Sequence, residues 1–140
     1  MLFYWKKNRI KEKNFLSKGN NDLIKELKEK GMADKNILNA MQLVPREIFV
    51  DKPFLKKAYE NIPLPIDCNQ TISQPYVVFY MINCLKLQKT NKVLEIGTGT
   101  GYQTAIISHL CQKIYTVEIF NELLYQAKHN IEKLNIKNII

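Results

Sequence analysis

From Glu95 to Gly101 the chain reads Glu-Ile-Gly-Thr-Gly-Thr-Gly, directly after the apolar pair Val93-Leu94 and just before an amphipathic segment that opens at Tyr102. Glycines at alternate positions let a backbone turn tightly and come close to a ligand with no Cβ in the way. The N–H groups that open the following helix are then free to bind it. A dinucleotide fingerprint would need Gly-x-Gly-x-x-Gly, and its third glycine would fall on Tyr102. The pattern therefore predicts a nucleotide-like cofactor at this turn, held by something other than the dinucleotide arrangement.

An acidic residue stands where such a cofactor would need one. Ile114-Tyr115-Thr116-Val117 reads as the next buried strand and runs into Glu118, about 20 residues beyond Gly97. One carboxylate can accept from both hydroxyls of a ribose, and it would repel a 2′-phosphate. Glycine turn and acid together point to an adenosine group. Upstream, the Ser73 hydroxyl is placed either to cap the helix that Pro75 opens or to serve a site. Cys68 lies in the loop before Ser73, with nothing nearby in sequence to lower a thiol pKa, and reads as structural. Cys68, Cys84 and Cys111 show no Cys-x-x-Cys spacing and no histidine at ligand distance, so neither a disulfide framework nor a metal site is expected. Cys84 and Cys111 read as core thiols.

The elements that must position these groups follow from period and punctuation. Asn21 is placed to cap a helix with Leu23, Ile24 and Leu27 on one face and Gly31 at its end. Asp34 can cap a second, with Ile37, Leu38, Met41 and Leu43-Val44 as its buried stripe until Pro45. These two helices are expected to form a lid or flap over the cofactor domain. Residues 45–65 show no sustained period and read as an irregular connection. A helix then runs from Pro75 to about Leu87, followed by strand Lys92 to Ile96, helix Tyr102 to Leu110, strand Ile114 to Val117, helix Asn121 to Leu134 and a final apolar Ile139-Ile140. This is a βαβαβ progression, hence an α/β fold.

The chain has 140 residues, 46% of them hydrophobic, enough for one domain with a real core. Its apolar runs are far short of the roughly 20 residues that cross a bilayer, and its start lacks the order of a secretory signal. A cytoplasmic location without membrane contact is expected. The net charge of +8 is spread along helices rather than gathered into one stripe, which argues against nucleic acid as a partner. The exception is the leader to about Lys18, where Phe3, Tyr4, Trp5 and Phe15 mix with Lys6, Lys7, Arg9, Lys11 and Lys13. It is expected to be a poorly ordered basic and aromatic leader over residues 1–20.

The Glu-x-Gly-x-Gly-x-Gly run resembles the first motif of S-adenosylmethionine-dependent methyltransferases of the Rossmann-like class. Three segments together resemble one family in particular: Val44-Pro45-Arg46-Glu47-Ile48-Phe49-Val50, Gln70-Thr71-Ile72-Ser73-Gln74-Pro75-Tyr76, and Val93 through Ala105. They are similar to the protein-L-isoaspartate O-methyltransferases, repair enzymes that methylate abnormal aspartyl residues, and Thr-Ile-Ser-Gln-Pro is the family-specific part. The resemblance runs from about Asn21 to Ile140. It implies a class I methyltransferase fold, here incomplete: the first strands and helices of a doubly wound sheet, with N-terminal helices, over residues 21–140. It also implies S-adenosyl-L-methionine as cofactor, bound by Thr71, Ile72, Glu95, Gly97, Thr98, Gly99, Gly101 and Glu118. Ser73 becomes the active-site serine, and isoaspartyl-containing proteins and peptides the substrates.

Two departures from the family stand out. Ile66-Asp67-Cys68-Asn69 replaces a segment that usually carries two glycines, and Asp67 brings a negative charge near a site for carboxylates. Ile119 follows Glu118 where arginine is common. The larger departure is that the sequence stops as a third strand begins. That predicts a truncated copy, a pseudogene product or one half of a split enzyme, with the first strand left as a bare edge open to a complementary C-terminal chain.

Overall fold

The computed structural model describes residues 18–140, so most of the expected leader lies outside the described residues; 18–20 are already helical. The first helix, α1, is described over 18–29 and stops where Gly31 adopts a left-handed φ of +85°. Asn21 is inside it rather than at its cap. Its Oδ1 accepts from Gln42 Nε2 at 2.8 Å, and Asn20 Nδ2 donates to the Gln42 carbonyl at 3.1 Å, so this pair pins α1 to the end of the next helix.

That next helix, α2 (Lys35–Leu43), starts as its sequence predicts: Asp34 Oδ1 accepts from the amides of Asn36 and Ile37 at 2.9 and 3.1 Å. Leu43, expected in the buried stripe, is instead exposed, because the helix ends there and the extended turn at Val44 puts that side chain inward. α2 packs on α3 (Pro75–Leu85) and α4 (Tyr102–Ser108), and its apolar residues belong to the main core with those of α1. The two helices are thus a wall of the domain, not a flap over its site.

Residues 45–65 are more regular than expected. They hold the 3-10 turns Arg46–Phe49 and Lys52–Lys57 and then β1 (Leu64–Ile66), which pairs antiparallel with β2 (Gln70–Ile72). The hairpin turns at Asp67, whose carbonyl accepts from the Gln70 amide at 3.2 Å. Cys68 and Asn69 take φ of +59° and +54°, the left-handed pair that suits strand twist, so the loop closes without glycine.

The central sheet is formed by β3 (Lys92–Ile96) and β4 (Lys113–Val117), parallel, with Lys92 opposite Lys113 and Ile96 opposite Val117. A third strand begins beside β4: Ile139 bridges Ile114 in parallel, and the Thr116 amide donates to the Ile140 carbonyl at 2.8 Å. α4 packs on β4, and α5 (Asn121–Glu132) reaches the 3-10 turn at Arg46–Phe49. The covered face of the sheet carries Val93, Glu95, Ile114 and Thr116. The opposite face is open, with Leu94 67% and Ile96 76% exposed beside Tyr115 and Val117. β4 reads as buried in the sequence; both strands are buried on one side only. Cys84, expected in the core, is also exposed, since α3 buries Val78, Phe79 and Ile82 on its other face.

Candidate active site

The Ser73 segment and the glycine turn face each other across a cleft of about 250 Å³. Thr71, Ile72 and Ser73 form one wall, Gly97 to Thr100 with Tyr102 the other, and Ile66 and Met81 lie at its margins. A larger cleft of about 440 Å³ between α2 and the end of α4 includes none of these residues.

Ser73 sits between β2 and α3, and its hydroxyl makes no hydrogen bond among the described residues. It does not cap α3. That role falls to Asn61, whose Oδ1 accepts from the Tyr76 amide at 2.9 Å while its own carbonyl accepts from Gln74 Nε2 at 2.7 Å. The Ser73 carbonyl accepts from Arg46 Nη2 at 3.1 Å, so the serine is held by its backbone and its hydroxyl is left for the cleft.

The glycine turn is fixed by its own amides. Gly97 and Thr98 donate to the Val117 carbonyl at 2.8 and 3.2 Å, and Gly101 to Thr98 at 3.0 Å. Gly99 donates to Glu118 Oε2 at 2.7 Å. These N–H groups of the turn itself are committed to the fold, so what the turn offers is bare backbone surface; the amides that open α4, the ones expected to be free for a ligand, are not among these bonds. A Cβ on Gly97 would meet nothing within 4 Å, and one on Gly99 only Ile66 Cδ1 at 3.8 Å, so both point to open space. Gly101 differs, because a Cβ there would come within 3.2 Å of Ile131 Cδ1 on α5. From α5 also, Asn130 Nδ2 donates to the Thr100 carbonyl at 3.2 Å. The Thr100 hydroxyl, in the lining of the cleft, is buried without a partner among the described residues.

Glu118 closes the turn and lies next to the cleft through Gly99, although it is not itself in the cleft lining. Besides Gly99, its Oε1 accepts from the amides of Ile119 and Phe120 at 2.8 and 3.1 Å. A carboxylate has about four acceptor directions, so one remains for a ribose hydroxyl. Accepting from both hydroxyls requires release of one of these amides.

Of the predicted residues, Gly101, Glu118 and Glu95 are outside the cleft lining, and Glu95 is the one buried beneath the turn. There its carboxylate accepts from Gln103 Nε2 at 3.1 Å, Thr116 Oγ1 at 2.7 Å and Thr104 Oγ1. Since Thr116 spends its only proton on Glu95, the 2.7 Å contact between Thr98 and Thr116 is a bond donated by Thr98. A buried carboxylate so completely satisfied ties β3, β4 and α4 together.

Cys68 lies at the hairpin tip, where desolvation and then the carboxylates of Glu122, Asp67 and Glu118 hold its thiol above the ordinary pKa. That is the reverse of an activated thiolate. Asp67 is exposed and outside the cleft lining. Among the described residues no cluster of His, Cys, Asp and Glu could hold a metal, and no helix is long and apolar enough to cross a membrane. Sequence reasoning missed Arg46, Asn61 and Thr100. Asn61 carries no local signal, because the amide it caps lies fifteen residues away.

A curated relative from Parvibaculum lavamentivorans, a protein-L-isoaspartate O-methyltransferase, is 48% identical over 118 residues, which are 84% of this chain and 53% of the relative. Its counterpart from Proteus mirabilis is 48% identical over 124 residues, 89% of this chain and 60% of the relative. The chain thus spans 53–60% of the length of these relatives. A solved protein-L-isoaspartate O-methyltransferase superposes with a TM-score of 0.77 at 35% identity, covering 86% of this chain and 40% of that one. A structure from Plasmodium falciparum in complex with S-adenosyl-L-homocysteine shares the fold, with a TM-score of 0.73 at 22% identity over 84% of this chain and 59% of that one. The family model described as Protein-L-isoaspartate(D-aspartate) O-methyltransferase matches residues 17–140, from α1 through the beginning of the third strand. With the Ser73 segment and the glycine turn meeting at one cleft inside that match, the chain belongs to the protein-L-isoaspartate(D-aspartate) O-methyltransferase family.

Proposed function

We propose that this chain carries the cofactor turn and the active-site serine of a methyl transfer from S-adenosyl-L-methionine to the free carboxylate of an isoaspartyl residue. The observation that carries the reading is the cleft in which an unbonded Ser73 hydroxyl faces a turn whose Gly97 and Gly99 look into open space. The residues fit the cofactor: bare backbone lets a bulky sulfonium approach, and Glu118 keeps an acceptor direction for a ribose hydroxyl. When bound, S-adenosyl-L-methionine supplies a methyl group on a good leaving group.

A carboxylate is already ionised near neutral pH, so the protein need not supply a general base. Its work is to hold the attacking oxygen in line with the methyl carbon. Ser73 donates to the carboxylate oxygen that does not attack, which orients the other, and Thr71 and Ile72 line the space beside it. A hydrogen bond to a charged group of this kind contributes about 1–3 kcal/mol. Ser73→Ala is therefore expected to lower kcat/KM for an isoaspartyl peptide about ten- to a hundredfold, read as labelled methyl ester. Unchanged turnover in that variant removes Ser73 from the mechanism. The free state of Cys68, Cys84 and Cys111 supports a cytoplasmic site of action.

A second reading concerns the partner. Parallel sheets are ordinarily covered on both faces by helices, whereas here, among the described residues, Leu94, Ile96, Val117 and Ile119 are exposed together and β3 has a free edge. A complementary polypeptide that adds strands next to β3, with connecting helices packed on this face, would cover them and complete the site. Size-exclusion and melting of the isolated chain test this. A soluble monomer with a sharp transition counts against any need for such a partner.

A further inference from the structure

Arg46 is completely buried, yet no carboxylate pairs with it among the described residues. Its two terminal nitrogens are spent on main-chain oxygens, while Nε is buried without a partner among the described residues. Nη1 donates to the carbonyls of Ala58 at 2.8 Å and Glu60 at 3.1 Å, and Nη2 to those of Ile62 at 3.0 Å and Ser73 at 3.1 Å. The first three acceptors lie on the segment that leads into β1, and the fourth is the carbonyl of the proposed active-site serine. The cation also lies over the Tyr102 ring, with the central carbon 5.7 Å from its centroid, and Tyr102 is braced in turn by Phe49 at 5.6 Å. Tyr102 follows Gly101 and lines the cleft opposite Ser73. One buried cation is therefore bonded to one wall and lies within cation–π range of a ring of the other.

We propose that Arg46 is a positioning residue: by clamping the Ser73 carbonyl while its charge lies over the Tyr102 ring, it sets the distance of the Ser73 hydroxyl from the glycine turn. The catalytic part of this inference rests on the function proposed above; the clamp itself rests on the contacts alone. A rigid fork with two donor-bearing terminal nitrogens can reach four carbonyls at once. Lysine carries the charge but offers three donors from a single point. Arg46→Lys therefore tests geometry with charge retained, and Arg46→Gln tests loss of both.

The full chain, labelled with ¹⁵N, is compared with the two variants by following the Gln74 amide, whose peptide carbonyl is the clamped Ser73 oxygen. In both variants that amide is expected to shift and broaden while the amides of β4 stay in place. In the unaltered chain the Arg46 Nη protons are expected to be protected from exchange with solvent. For an isoaspartyl peptide, kcat/KM is expected to fall about tenfold in Arg46→Lys, with affinity for S-adenosyl-L-homocysteine changed less than about twofold. An unmoved Gln74 amide, or Nη protons that exchange freely, overturns the clamp. Equal losses of peptide turnover and homocysteine-ligand affinity overturn the selective role. Should the unaltered chain neither bind S-adenosyl-L-homocysteine nor methylate the peptide, the proposed function fails, while the amide and the protected protons still decide the clamp. If both variants unfold, the exchange measurement on the unaltered chain decides it.

Discussion

Gly97 and Gly101 look alike in the sequence and do different work. Both have a strongly positive φ, +89° and +93°, so alanine at either meets the left-handed penalty of about 1–2 kcal/mol. At Gly97 nothing more is lost, because its missing Cβ faces open space. At Gly101 the new methyl would press on Ile131 and Ala127 of α5, adding about 1–3 kcal/mol of overpacking. Gly101→Ala is thus expected to melt well below Gly97→Ala in thermal denaturation. Calorimetry with S-adenosyl-L-homocysteine should show the opposite order of harm, with binding weakened more in Gly97→Ala. Equal melting temperatures would mean that α5 shifts to make room. The turn itself was legible in the run of glycines, since alternate glycines after an apolar strand have few other uses. Which glycine faces open space and which packs against a helix was not legible, because Ile131 is thirty residues on and meets Gly101 only once α5 has docked. Glu95 was misplaced for a related reason. Its partners Thr104 and Thr116 sit on different elements, so nothing local marks it as a strut.

At the level of elements, legibility follows how local the cause is. Asp34 caps α2 through the next residues, and β3 has the bounds Lys92–Ile96 that its composition predicts. The β1 and β2 strands escaped notice because each is only three residues long and β1 contains Pro65, so no period can form. The end of α4 supplies an element-scale prediction. His109 closes that helix half-buried; burial first, and then the cation of Lys89, whose ammonium donates to the His109 carbonyl, hold its pKa below the usual 6.5. Between the folded pKa and 6.5 the unfolded chain binds more protons than the folded one, so stability rises with pH across that window. Acidifying from pH 7 should therefore begin to cost stability as the pH passes about 6.5, with the loss complete below the folded value. His109→Gln should remove that part of the slope in urea titrations taken at a series of pH values. A slope unchanged by the substitution would assign it to other groups.

At the scale of the whole molecule, the described residues form one core with one face uncovered. Residues from Leu23 to Leu123 form a single buried cluster, so α1, α2 and the sheet fold as a unit rather than as lid and domain. Against that closed interior stands the patch of Leu94, Ile96, Val117 and Ile119, the kind of exposed apolar surface that finds a partner. The sequence reading anticipated only a bare strand edge. Strand alternation alone does not say which face lacks cover; it takes the observed packing of α4 to show that Leu94 and Ile96 point away from it. With no other polypeptide present, the available partner is a second copy of the chain, and burying a Leu or Ile side chain is worth about 1.5–3 kcal/mol. The charge of +8 opposes that encounter. Sedimentation should therefore show self-association that grows with protein concentration and also with added salt, which screens the repulsion over about 10 Å at 0.1 M. Leu94→Lys with Ile119→Lys puts charge on the patch at positions outside the cleft lining, and should keep the chain monomeric with its melting temperature little changed. If association persists in that double variant, the contact lies elsewhere; if it weakens with salt in the unaltered chain, charge and not the apolar face holds the copies together.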